Sequence, residues 1–596
     1  MSEQFPVDPR VEYAHRAEAR RAEAVRQMHR FRRVGIPRLA SLAAGLVMAW
    51  LAFHGLIVWW LLLPAAGFLG LAIVQYRITR SRRRCQRAAA LYDQGLARLD
   101  DQWTGKGATG ERFLNDSHPY AEDLDLFGHG SLFELLSMAR TAMGEETLAR
   151  WLLAPAVPEI VRARQAAVAE LRPRLDLRED LALLGEAGRS GVAAQALAAW
   201  AALPRWPLSR AVRVTAIALA LLAVITLVFW IEGLGVLPFL VALILGRSLA
   251  FALREPVNRV VKAVDRAGRD LSLLSEVLGR LERERFSSPL LVELRTALDV
   301  EGQPPSRQIA KLNRLIDLLD ARRNPFFAPF AALLLWPLHF AFAIESWRQR
   351  SGPAVARWLT AVGELEALGS LAGYSYEHPE ASFPELLDGG PFFEAKGLGH
   401  PLIPKSRSVT TDLRLVDGLR LLIVSGSNMS GKSTLLRTVG TNTVLAMAGA
   451  PVSALRLRLS PLHVGASIHI QDSLQAGASR FYAEITRLRQ IVELTKGTLP
   501  VLFLLDEILH GTNSHDRRIG AEGVVRGLIE RGAIGLMTTH DLALAHIVEV
   551  LAPHAANVHF ADHLEDGEMI FDYLLRPGVI QKSNALELMR SIGLEV

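Results

Sequence analysis

Residues 419–439 read L-R-L-L-I-V-S-G-S-N-M-S-G-K-S-T-L-L-R-T-V. The apolar run Leu419–Val424 has the texture of a buried strand. It is followed by Gly426, Ser427, Asn428, Met429, Ser430, Gly431, Lys432, Ser433 and Thr434, and then by helix formers. This is the pattern G-x-x-x-x-G-K-[ST] in a strand–loop–helix setting. Glycines allow such a loop to wrap a polyphosphate, with its N–H groups and the helix N-terminus facing the phosphate oxygens. Lys432 is then expected to reach the β- and γ-phosphates, and Ser433 to ligate Mg²⁺.

Two further strand ends complete the pattern. Val501-Leu-Phe-Leu-Leu505 is a buried-strand run that ends in Asp506-Glu507. An acid at that place holds Mg²⁺, and its neighbour orients or activates an attacking water. Ala533–Thr539 is another strand, ending in His540. A histidine there can sense the γ-phosphate; taken alone, a strand-end histidine is more often structural. In this order the three segments assign Glu507 and His540 to catalysis, Ser433 and Asp506 to the metal, and residues 426–434 to the nucleotide. ATP and Mg²⁺ are the implied ligands.

The rest of the chain sets this domain in unusual company. Its 596 residues are enough for three or four domains of about 150 residues each. Half the residues are hydrophobic, while the net charge is only +6. Arginines cluster at positions 16–33 and again at 77–84, on either side of a span from Arg38 to Arg77 that contains no acid or base between its ends. That span is about twice the ~20 residues needed to cross a bilayer. It breaks at His54-Gly55, which predicts two helices, Leu39–Phe53 and Leu56–Tyr76. Basic flanks place both outer ends in the cytoplasm. A cleaved signal peptide is the rival reading, opposed by the long basic region and the absence of a tidy cleavage site.

A second hairpin is expected over Val214–Trp230 and Leu234–Leu253, with Arg247 as its only interior charge. A third apolar stretch, Phe326–Ile344, contains Pro329, Pro337 and His339 and reads as a buried helix of a soluble domain. The single cysteine, Cys85, excludes an internal disulfide. Residues 112–203 read as helical, Val257–Leu298 as one long amphipathic helix, and 308–372 as further helix interrupted at Asn324-Pro325. From Pro379 onward strands alternate with helices. The expected order is therefore a basic cytoplasmic tail (1–35), a transmembrane hairpin (36–77), a first helical part (78–204), a second hairpin (205–255), a second helical part (256–378) and an α/β P-loop domain of the ABC type (379–596).

Several motifs resemble the MutS family. Asn428-Met429-Ser430 inside the loop is similar to its G-P-N-M-x-G-K-S-T, with Ser427 in place of the proline. The stretch from Asp472 through Ser479 to Glu484 resembles D-x-L-x-x-G-x-S-T-F-x-x-E, and Asp506–Ser514 resembles D-E-I-G-R-G-T-S-T. Phe571-Asp-Tyr573 through Gly578 and Ser583 resembles F-x-Y-x-L-x-P-G-x-x-x-x-S. Upstream, His118–Gly128 and Gly144–Pro155 look like the start of the family's helical core.

The resemblance implies an ATPase working as a homodimer, in which the serine at the Ser479 position reaches the partner's nucleotide, and it implies DNA as a partner. It further implies an all-α core and lever region ahead of the ATPase domain. The departures are as specific. Arg480 stands where the family prefers threonine, and the chain stops at Val596, where dimer-stabilising helices are expected to follow. The mismatch-sensing wedge Phe-x-Glu has no counterpart ahead of the helical region, and the triplet Phe392-Phe393-Glu394, at the entry to the ATPase domain, stands at a place that marks it as fortuitous.

The expected protein is a multi-pass inner- or plasma-membrane ATPase with its motor in the cytoplasm, acting in mismatch repair or on related DNA structures. The alternatives are ATP-driven membrane remodelling without DNA and a transporter half. Against the transporter, the L-S-G-G-Q signature is absent and the apolar segments are too few for a translocation bundle.

Overall fold

A computed structural model describes residues 8–55, 58–185, 198–203, 210–298, 302–427, 429–468, 480–565 and 568–579. The chain divides into two compact units, residues 1–107 with 175–183, and residues 108–174 with 184–596.

The first unit is built on two long helices, Pro9–Phe53 and Leu62–Leu99, joined through His54-Gly55 and a short 3-10 turn at Val58–Leu61. Ala17, Ala24, Ala88 and Ala89 are buried between them, so the backbones approach closely, and the rings of Tyr13 and Tyr92 meet 5.6 Å apart. The basic segment forms the first part of a continuous 45-residue helix. Its arginines are paired: Arg16 with Asp176 at 2.5 Å, Arg20 with Glu179 at 2.8 Å and Arg21 with Asp93 at 2.5 Å. Tyr92 donates its hydroxyl to Glu179 at 2.6 Å, inside the same network. These bonds draw Leu175–Leu183 into this unit. Beyond the network both helices turn large apolar side chains outward, among them Leu46, Trp50, Trp59 and Leu63.

Among the described residues three helices, Pro9–Phe53, Trp59–Leu99 and Ala211–Ile231, are long and apolar enough to cross a membrane. The count rises to four if Leu237–Ala252 and Arg254–Lys262, which meet at a 60° bend, form one span.

The second unit opens with residues that differ from expectation. Residues 114–131 are turns, and the first α-helix after them is Leu132–Leu136. Ala142–Leu153 and Pro158–Leu171 follow and pack on the 42-residue helix Trp336–Glu377. There Glu366, buried, accepts from the backbone N–H and the hydroxyl of Thr141 and so fixes the start of Ala142–Leu153. The amphipathic helix expected over 257–298 is two helices, Arg254–Leu281 and Pro289–Leu298. Glu170 explains the break. Its carboxylate accepts from the N–H groups of Ser287 and Ser288, which hold the chain in a turn just before Pro289. The Phe326–Ile344 stretch is only partly interior: Phe342 and Ile344 are buried, but Phe326 is 89% exposed.

Among the described residues the C-terminal domain has ten strands: β1 (Glu385–Leu386), β2 (Phe393–Leu398), β3 (Thr411–Leu415), β4 (Leu421–Ser425), β5 (Arg456–Leu459), β6 (His463–Ser467), β7 (Val501–Asp506), β8 (Ile534–Thr539), β9 (Ala555–Glu565) and β10 (Glu568–Pro577). A four-stranded sheet has the order β1-β5-β2-β3, and a six-stranded sheet the order β10-β9-β4-β8-β7-β6. In the larger sheet all neighbours are parallel except the β9–β10 pair. Strands β4, β7 and β8 are buried nearly throughout, which is why they read as continuous apolar runs. Phe393 lies fully buried in β2, and Phe392 sits beneath the guanidinium of Arg458, so the Phe-x-Glu triplet has a structural place in the small sheet.

The turns at 114–131 are held against this domain. Ala466 N–H donates to the Pro119 carbonyl at 2.8 Å, Ile468 N–H to Asp123 at 2.7 Å, and Arg437 pairs with Asp125 at 2.6 Å. A Cβ on Gly440 would lie 2.7 Å from both Leu124 and Leu504, so the helix Lys432–Ala448 is clamped with no spare room.

Close packing in the sheet makes a test. A Cβ on Gly535 in β8 would meet the Phe503 carbonyl oxygen of β7 at 2.1 Å. Gly535→Ala is expected to destabilise the domain by about 1–3 kcal/mol, read as a lowered thermal midpoint of the nucleotide-binding domain.

Candidate nucleotide site

Parallel registration brings the chemistry together. Ser425 lies level with Thr539, and Asp506 with Thr538, so the ends of β4, β7 and β8 open on one edge. Ligands in open α/β sheets bind at such an edge. The loop after β4 turns through Met429 (φ 69°) and Gly431 (φ 97°) into the helix Lys432–Ala448. Gly426 is required sterically, because a Cβ there would meet the Ser430 hydroxyl at 2.6 Å. Asn428 lies outside the described residues.

Lys432 is buried and donates to the carbonyls of Gly426 at 3.0 Å and Ser427 at 2.9 Å. Its ammonium is thus held inside the loop where a polyphosphate would lie. The hydroxyls of Ser427 and Ser430 are buried without a hydrogen-bond partner, two orphan polar groups that phosphate oxygens would satisfy. Ser433 donates to Asp506 at 2.6 Å, and Thr538 donates to the other oxygen of the same carboxylate. Ser433 and Asp506 therefore offer adjacent oxygen donors of the kind Mg²⁺ takes.

Glu507 follows in a left-handed conformation (φ 46°), its N–H donating to the Thr538 hydroxyl at 3.1 Å. That turn aims its carboxylate at Lys432 (3.4 Å), at His540 Nδ1 (3.1 Å) and at His510 Nε2 (3.1 Å). Burial alone would raise the pKa of Glu507. The hydrogen bond with His540 and the charge of Lys432 outweigh it and hold the carboxyl below its ordinary value, so it is ionised at neutral pH. The His510 and His540 rings stack 4.9 Å apart. Ser479 lies outside the described residues, as does all of 469–479.

A cavity of about 690 Å³ joins this edge to the small sheet. Lys432, Ser433, Asp506 and Glu507 line it together with His400, Ile403, Val409 and Tyr573. Burial and the nearby Arg437 push the His400 imidazole down to about 4, so it is neutral, and its Nδ1 accepts from Leu402 N–H at 3.2 Å. Tyr573 sits at φ 56° at the β10 irregularity, and its ring comes within 3.1 Å of where a Cβ on Gly431 would be. Sequence reasoning quoted Tyr573 only as part of a motif and passed over His400, Ile403 and His510. The Gly399-His400-Pro401 triplet at a strand exit was the available signal for His400; nothing local marks Ile403.

Residues 422–595 match the family model described as MutS domain V. The chain is 35% identical over 254 residues to the "DNA mismatch repair protein MutS 2" of Halobacterium salinarum, covering 41% of this chain and 29% of that protein. It is 34% identical over 203 residues to the "Endonuclease MutS2" of Thermus thermophilus (33% and 25%). It is 30% identical over 269 residues to the "DNA mismatch repair protein MSH6" of Arabidopsis thaliana (42% and 20%). The chain thus spans less than a third of the length of these relatives.

The cavity predicts a charge effect. Val409 is half exposed at its rim. Val409→Asp is expected to raise the KM for ATP about ten-fold, equivalent to about 1.4 kcal/mol, with kcat little changed in steady-state turnover.

Proposed function

The C-terminal domain of this chain belongs to the MutS family, and from that premise we propose that the protein is a membrane-anchored, Mg²⁺-dependent ATPase that works as a homodimer on DNA. The observation that carries the hydrolytic reading is the meeting of Ser433 and Asp506 at 2.6 Å beside a buried Lys432 and an ionised Glu507.

Lys432 exchanges the carbonyls of Gly426 and Ser427 for the β- and γ-phosphates, so the loop is poised for an anion before one arrives. Mg²⁺, when bound, neutralises charge on the phosphates. Ser433 and Asp506 are the side chains that hold it. With Lys432 drawn to phosphate, Glu507 keeps His540 and His510 as partners and is free to orient and deprotonate a water against the γ-phosphate. His540 holds that carboxylate in place, and Thr538 fixes both acids from below.

The dimer and DNA are supported by the family. Ser479 is the residue proposed to reach the partner's nucleotide. Two of the relatives are named for DNA mismatch repair and one as an endonuclease, which supports DNA as the partner. The membrane anchor is supported by the apolar surfaces of Pro9–Phe53, Leu62–Leu99 and Arg210–Ile231. The inner or plasma membrane, with the ATPase domain in the cytoplasm, is the location this reading gives.

Three results follow from this reading. Lys432→Ala abolishes turnover, and Glu507→Gln slows it by about 10²-fold or more while ATP binding persists; wild-type rates in either variant overturn the site. Turnover of the detergent-solubilised protein rises with one of duplex, mismatched or branched DNA, and binding weakens steeply with salt; no DNA response at low salt removes DNA from the reading. The full chain stays with the membrane fraction through alkaline and high-salt washes; release by either overturns the anchor.

A further inference from the structure

We propose that Glu507, His510 and His540 together form a binding site for a transition-metal divalent cation of the Zn²⁺ class, distinct from the Mg²⁺ oxygens of Ser433 and Asp506, and that the ion restrains hydrolysis by occupying Glu507. The three side chains each turn a ligand atom to one point, and these atoms all lie within 4.8 Å of one another. The two carboxylate oxygens of Glu507 face different imidazoles, His540 Nδ1 at 3.1 Å and His510 Nε2 at 3.1 Å. Metal–nitrogen bonds of about 2.0–2.1 Å put neighbouring donors about 3–3.4 Å apart, so the carboxylate–imidazole spacings already suit a shared ion. The third edge, between the two imidazoles, closes when the stacked rings move together to about the same spacing.

Donor chemistry separates this site from the one beside it. Two imidazoles and a carboxylate suit Zn²⁺, Fe²⁺ or Co²⁺, whereas Mg²⁺ prefers oxygen alone. The site is also built on held backbone. Glu507 N–H is fixed on Thr538; Leu509 (φ 60°) donates its N–H to the buried Glu484; and Arg517 donates to the carbonyls of Leu509 and His510, at 3.1 and 3.3 Å. His510 therefore stands on a loop whose course is set from two sides. The three side chains are between 26% and 45% exposed, leaving an entry path and room for water or an exogenous ligand on the ion. Position 510 is also where the D-E-I-G-R-G-T-S-T pattern carries arginine, which cannot ligate. The ligand set thus belongs to this sequence rather than to the pattern it resembles.

The effect on turnover rests on Glu507 acting as proposed above; binding of the ion does not. Full-length protein in detergent is stripped with a chelator and titrated with Co²⁺ alone, without nucleotide, following ligand-field absorption, then back-titrated with Zn²⁺. One equivalent is expected, displaced by Zn²⁺ and not by excess Mg²⁺. His510→Arg and His510→Gln should weaken it at least ten-fold while still binding ATP, which shows that they are folded. Absence of a Co²⁺ band in wild type, or equal affinity in both folded variants, overturns the site. In parallel, Zn²⁺ should inhibit wild-type ATP hydrolysis at concentrations at least ten-fold lower than it inhibits His510→Arg; equal inhibition overturns the restraint while the absorption result stands. A chelator-stripped wild type that shows no ATPase activity when resupplied with Mg²⁺ and ATP refutes the hydrolytic reading instead, with the metal site still read by Co²⁺.

Discussion

The registration of β4, β7 and β8 is the constraint on which the rest of the candidate site depends. Because these strands are parallel and level at their ends, a lysine in the loop after one, two acids at the end of the next and a histidine after the third are forced into one small volume. Thr538 carries that constraint into side-chain geometry: one residue bonds both the Asp506 carboxylate and the Glu507 backbone. The left-handed turn at Glu507 is strain of the kind a structure keeps only where neighbours over-determine it, and here those neighbours are Thr538, Lys432 and the two histidines.

Much of this was legible in the sequence because each piece is contiguous. An apolar run followed by G-x-x-x-x-G-K-S, or by Asp-Glu, or by His, names its own strand end, and the strands lie where the runs do. Residues supplied from elsewhere in the chain were not legible. His510 occupies a place in a familiar pattern but changes its chemistry, and His400 and Ile403 reach the cavity from the small sheet through a tertiary arrangement that no local period encodes. Tyr573 is brought over Gly431 by an irregularity between β9 and β10, which an alternating pattern does not reveal.

The helical half shows the opposite failure, where pattern was over-read. Apolar spacing continues across residues 257–298, yet Glu170 caps a turn at Ser287-Ser288 and splits the helix. Residues 114–131 read as helical, but their backbone closes a series of local turns, Leu124 on Tyr120, Asp125 on Glu122 and Leu126 on Ala121, while Pro119, Asp123 and Asp125 are held by the neighbouring domain. The basic N-terminal segment read as a tail because only its local pairs, Arg16 with Glu12 and Arg26 with Glu23, are visible in sequence; its distant partners are Asp93, Asp176 and Glu179.

The clamp formed by residues 119–125 has a mechanical meaning. Arg437 sits little more than a turn beyond Lys432 on the same helix, and it is tied to Asp125 while Gly440 is wedged between Leu124 and Leu504. A rigid helix cannot shift at its phosphate end without carrying that wedge along. The segment that it grips runs on directly into Leu132–Leu136, which packs on the long helix Trp336–Glu377. The domain is consequently geared to its helical neighbour rather than hinged to it. A displacement of the helix at its phosphate end would therefore be felt by the helices as well as by the nucleotide loop.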